Sequence, residues 1–95
     1  MNVKDATVER FKHILQERDI AINELATLSG VTPSTAYSMF NSSRRDISLI
    51  TIKKFCDGLN ISLEEFFADE IFRTLEPEIK WASVVTEAQS IYKSL

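Results

Sequence analysis

The sequence is poor in the residues that punctuate and staple a chain. Its 95 residues include two glycines, two prolines, one cysteine and one histidine. A single cysteine excludes an internal disulfide, and a reducing cytoplasm is the expected setting. One cysteine and one histidine form no set of ligands at metal-binding spacing, so no metal is expected. Two glycines and two prolines are too few to turn a chain between many strands, and strand-like alternation is nowhere sustained. No apolar run approaches the ~18 residues of a membrane span. The opening MNVKDATVERFK lacks the apolar centre of a signal peptide. There is no glycine-rich phosphate loop and no nucleophile with a base partner, so neither an enzyme nor a cofactor is expected.

Helical periodicity fills the space these absences leave. Val8, Phe11, Ile14 and Leu15 are spaced as one face of a first helix over residues 4–18. Ile22, Leu25, Ala26 and Leu28 repeat the pattern in a short second helix that Gly30 ends. Thr32 is an N-cap and Pro33 a first helical residue, opening a third helix that runs to about Asn41 and buries Ala36, Met39 and part of Phe40. After a polar loop, Ser48 caps a fourth helix over 49–59, with Leu49, Ile52, Phe55, Cys56 and Leu59 on one face. Asn60 suits a left-handed turn, and Ser62 with Glu65 makes a capping box for a fifth helix carrying Leu63, Phe66 and Phe67. Glu76-Pro77 marks a break. Beyond it, residues 78–95 are expected as a sixth helix with Trp81, Val84, Val85, Ala88, Ile91, Tyr92 and Leu95 on a broad apolar stripe. The expected fold is all-α, with a domain over 1–75 and a helical C-terminal extension over 76–95.

The stretch ELATLSGVTPSTAYSM, Glu24 to Met39, places one of the two glycines between two short helices. Helices joined this tightly cross steeply, with small Ala26 where the backbones approach. The start of the second helix of the pair is then left projecting, with Pro33, Ser34, Thr35, Tyr37 and Ser38 facing outward. A helix N-terminus suits phosphate, and short polar side chains let a backbone sit close to a base edge. The arrangement is a helix-turn-helix.

Ile22–Asn41 resembles the helix-turn-helix of the Cro and lambda-repressor class, the XRE family of bacterial and prophage regulators. TIKKFCDGLNISLEEFF, Thr51 to Phe67, is similar to that family's fourth and fifth helices, so the resemblance spans about residues 5–75. It implies a compact five-helix, lambda-repressor-like domain that binds double-stranded DNA and regulates transcription as a repressor, with its third helix in the major groove. By position it implies that Pro33, Ser34 and Ser38 face base edges. Thr32, Thr35, Tyr37 and Asn41 would flank the bases or touch phosphates, and Ser42, Ser43, Arg44 and Arg45 would lie along the DNA backbone. The sequence departs from the family pattern at Ala21, where a capping Ser or Thr is usual, and at Ile22, where Gln is common. It departs again at Ser42-Ser43, which replace a glycine, and at Asp46-Ile47, which replace a proline step.

Charge adds a weaker signal. Residues 1–60 carry eight basic and seven acidic groups, and residues 61–95 carry three and seven, for a net charge of −3. A near-neutral front and an acidic rear are compatible with one face meeting phosphates. His13 is expected on the surface and Cys56 in the core as a plain thiol. Two readings of the C-terminal stripe stay open: packing on its own domain, or pairing with a second copy in a homodimer. A rival function also stays open, because antitoxins use this domain with an extension that grips a toxin partner.

Overall fold

The computed structural model describes residues 1–44 and 46–79. Among them are five helices: α1 (Val3–Arg18), α2 (Ile22–Ser29), α3 (Pro33–Phe40), α4 (Leu49–Gly58) and α5 (Leu63–Phe67), followed by a 3-10 turn at Glu70–Phe72. Among the described residues the all-α fold expected from the periodicity is present, with the five helices of a lambda-repressor-like domain that the family resemblance implies. Glu78 and Ile79, expected to begin a sixth helix, form a bend instead, and the rest of that helix and its apolar stripe lie outside the described residues.

Three helices end by the same device. Asp19, Gly30 and Asn60 take left-handed φ values of 54°, 69° and 57° after α1, α2 and α4. In each case the next residue is apolar, and its N–H bonds a carbonyl five residues back: Ile20 to Leu15 at 2.9 Å, Val31 to Ala26 at 3.0 Å, Ile61 to Cys56 at 2.9 Å. This satisfies carbonyls that a helix end leaves unpaired, while the apolar residue turns inward against the core. Helix starts are capped at the expected residues, but the capping box expected at α5 is half formed, since no bond joins the Glu65 carboxylate to the Ser62 N–H. Thr32, Ser48 and Ser62 accept from Thr35, Thr51 and Glu65 N–H groups at 3.2, 3.4 and 3.0 Å. Ala21 has no side chain to offer, and α2 begins without a side-chain cap.

Phe11 of α1, Phe55 of α4 and Phe66 of α5 are fully buried and meet at the centre. The Phe11 ring lies edge-on to Phe55 at 5.4 Å and tilted against Phe66 at 4.3 Å, with Phe72 extending the cluster to Phe66 at 5.7 Å. Leu25, Ala26, Ala36, Ile52, Cys56 and Leu59 complete the core beneath α2 and α3. Two leucines expected inside lie outside it. Leu28 is 49% exposed because the buried seam of α2 runs through Ile22, Leu25, Ala26 and half-buried Ser29, leaving Leu28 turned off it. Leu49 is 61% and Ile50 66% exposed, because the first turn of α4 projects past the core that its later turns cover.

At Gly58, α4 comes close to α2. A Cβ there would stand 2.6 Å from Ser29 Oγ and 3.0 Å from both the carbonyl carbon and oxygen of Leu28. Gly30 is the opposite case, since its Cβ would meet nothing within 4 Å and only the positive φ asks for glycine. Gly58→Ala is therefore expected to cost about 2 kcal/mol, or roughly 10 °C in Tm, because the Ser29 hydroxyl must move and the Leu28 backbone must give way. Gly30→Ala should cost about 1 kcal/mol of left-handed strain, and Gly30→Asn less. Thermal unfolding followed by circular dichroism orders the three variants, and a Gly58→Ala protein that melts with the parent would show that the helices do not meet there.

Cys56 is fully buried on α4. Burial pushes its thiol up to about 11 from an ordinary 9.0, with nearby Lys53 opposing and Asp57 assisting. Between those values the unfolded chain releases a proton that the folded chain retains, so stability falls as pH rises through the window, by about 3 kcal/mol for this group. Urea midpoints of the parent should drop between about pH 9 and 11 more than those of Cys56→Ala. Equal drops would place the thiol in contact with water.

Candidate nucleic-acid interface

α3 begins on Pro33, whose missing N–H costs nothing at a first helical position, and Ala36 and Met39 anchor its inner side. Pro33, Ser34, Thr35 and Tyr37 are exposed on the other side and Ser38 is half-buried. Thr32 is committed locally, its hydroxyl lying 3.0 Å from that of Thr35 while it caps the helix. At the far end, Asn41 leaves the helix in an extended conformation. Its Oδ1 accepts from the Ser43 N–H at 3.0 Å and the Ser43 hydroxyl at 2.8 Å, which folds Ser42 and Ser43 into a turn.

Ser34, Thr35 and Ser38 share one open cleft of about 400 Å³ with Arg44. The opposite wall comes from Asp46, Ile47, Ser48 and Thr51, at the start of α4. Two of the residues expected at base edges and two expected near the backbone are thus brought together. Pro33, Thr32, Tyr37, Asn41, Ser42 and Ser43 lie outside this cleft, and Arg45 lies outside the described residues. The wall from α4 was not anticipated. Its one legible sign is Ser48, since a residue that caps a helix also fixes where that helix's first N–H groups emerge.

The electrostatics differ from what the count of basic residues suggests. Lys4 is only 4% exposed, and its ammonium donates to the Asn41 carbonyl at 2.6 Å. Arg10 donates to the Phe66 and Glu65 carbonyls at 3.0 and 3.3 Å and lies 3.5 Å from Asp69. Arg18 donates to the Leu59 carbonyl. Each cation sits at the C-terminal end of another helix, where the closing carbonyls and the helix dipole favour positive charge. Lys12 pairs with Glu9 at 3.7 Å, and Lys53 with Asp57. Arg44 is exposed and lines the cleft. His13 is on the surface beside Glu17 at 3.2 Å.

Residues 11–66, more than half of the chain, match the family described as Helix-turn-helix. No curated protein and no solved structure gives a significant match.

Proposed function

The chain belongs to the XRE-type helix-turn-helix family, whose domain binds DNA, and we propose that it recognises a particular duplex sequence and represses transcription there in a bacterial or prophage circuit. One observation carries this: the short hydroxyl side chains of Ser34, Thr35 and Ser38 share an open cleft with Arg44 and the start of α4. In this mechanism α3 enters the major groove. Pro33, Ser34 and Ser38 approach base edges, and Thr32, Thr35, Tyr37 and Asn41 flank them. Ser42, Ser43, Arg44 and Arg45 follow the phosphates.

Short hydroxyls discriminate bases weakly, so shape and close approach contribute beside hydrogen bonds. Two copies joined through residues 76–95 would place their third helices on half-sites about one helical turn, roughly 34 Å, apart.

Two sets of variants separate base reading from backbone holding. Arg44→Ala with Arg45→Ala should weaken binding to every duplex and reduce the log–log salt slope by about 0.9 for each phosphate that is no longer neutralised. An unchanged slope would take the loop off the DNA.

Ser34→Gln or Ser34→Arg should instead change which sequence is preferred, because a longer side chain can pair bidentately with adenine or guanine for about 1–3 kcal/mol of discrimination. Thermal stability should barely move at this exposed site. Parent and variant are compared by selection from random duplexes. Identical motifs from both would remove Ser34 from the reading surface. A parent that enriches no duplex but holds a tight protein partner would be an antitoxin.

A further inference from the structure

The chain leaving the 3-10 turn does not run clear of the domain. It returns to the first residues of α1, where the Glu76 N–H bonds the Met1 carbonyl at 3.0 Å and a Glu78 carboxylate oxygen accepts from the Val3 N–H at 3.3 Å. Glu78 thereby enters a cleft of about 160 Å³ shared with Asn2, Lys4, Asp5, Ser42 and Arg44. Arg44 borders both this cleft and the larger one beside α3. The charged groups here are Lys4 and Arg44 against Asp5 and Glu78, which cancel. Lys4 is committed to the Asn41 carbonyl, and Asp5 bonds Asn2 at 3.2 Å. Glu78 belongs to the segment that follows Pro77, beyond the last helix among the described residues, and Lys4 and Asp5 belong to α1.

We propose that residues 76–78 form an acidic strap that weakens DNA binding, with the Glu78 carboxylate opposing a backbone phosphate at Arg44. This rests on the DNA-binding reading above. A phosphate approaching the Ser42–Arg44 turn meets a cleft with no net charge. Neutralising Glu78 makes that cleft net positive, as does lifting the strap away. The strap couples the C-terminal segment to the DNA face through charge, with no change in the helices.

Glu78→Gln tests this directly, because the amide oxygen still accepts from Val3 while the charge is removed. Glu64→Gln, at an exposed position of α5, removes the same charge elsewhere. Binding to a mixed-sequence duplex is measured for both proteins and the parent, across a salt series. Glu78→Gln should tighten binding by about threefold or more at low salt, and the gain should shrink as screening shortens the reach of the charge. Glu64→Gln should give less than half that gain. In an Arg44→Ala background most of the Glu78→Gln gain should disappear. A parent that binds with no gain from Glu78→Gln overturns the strap alone, as do equal gains from both substitutions. Absence of binding by every protein at low salt overturns the DNA-binding reading, and the strap with it.

Discussion

Three helices of this domain end on the first one. Lys4, Arg10 and Arg18, spaced along α1, donate to the closing carbonyls of α3, α5 and α4. Each bond joins a carbonyl at a helix end to a cation that the local dipole favours; the Asn41 carbonyl also accepts from the Arg44 N–H at 3.1 Å. A domain of this size has a small core and little stability in reserve. Polar links from one rigid helix to three others fix the relative positions of those helices in a way that a non-directional apolar cluster cannot. Phe11 complements them from the same helix, meeting Phe55 and Phe66 between the polar anchors.

The consequence of that arrangement falls on the electrostatics. Cations committed to carbonyls cannot serve a phosphate backbone, and the surface pairs Lys12–Glu9 and Lys53–Asp57 lower the positive field further. A face with few available cations has weak non-specific attraction for nucleic acid, because that attraction scales with the phosphates neutralised. Under the proposed function, affinity then depends on how closely the backbone of α3 approaches the duplex. The small side chains at Ser34, Thr35 and Ser38 allow close approach. The Lys4 bond to Asn41 holds the end of α3 and the start of the following loop in register with α1.

Local chemistry made much of the fold legible. Left-handed Gly30 and Asn60, the caps at Thr32, Ser48 and Ser62, and the buried faces of α1 and α4 all follow from residue type and helical period. They involve neighbours within one or two turns. The same logic missed Asp19, which takes a left-handed conformation without being glycine or asparagine. It also misplaced Leu28 and Leu49, because period alone does not say where along a helix the core stops.

What the sequence determined by itself is the helical string, the turn at Gly30 and the short-armed outer face of α3, each set by conformational preference over a few residues. Tertiary structure decided which charges are available and what faces α3. Lys4 meets Asn41 across 37 residues, Arg18 meets Leu59 across 41 and Arg10 meets Phe66 across 56. No local pattern distinguishes such a cation from a solvated one. The wall of Asp46, Ile47, Ser48 and Thr51, and the return of Glu78 to α1, likewise exist only once packing brings distant segments together. Gly58 shows the same thing at a single atom: its place in α4 looks ordinary in the sequence, and only the Ser29 hydroxyl and the Leu28 backbone lying against it leave no room for a methyl group.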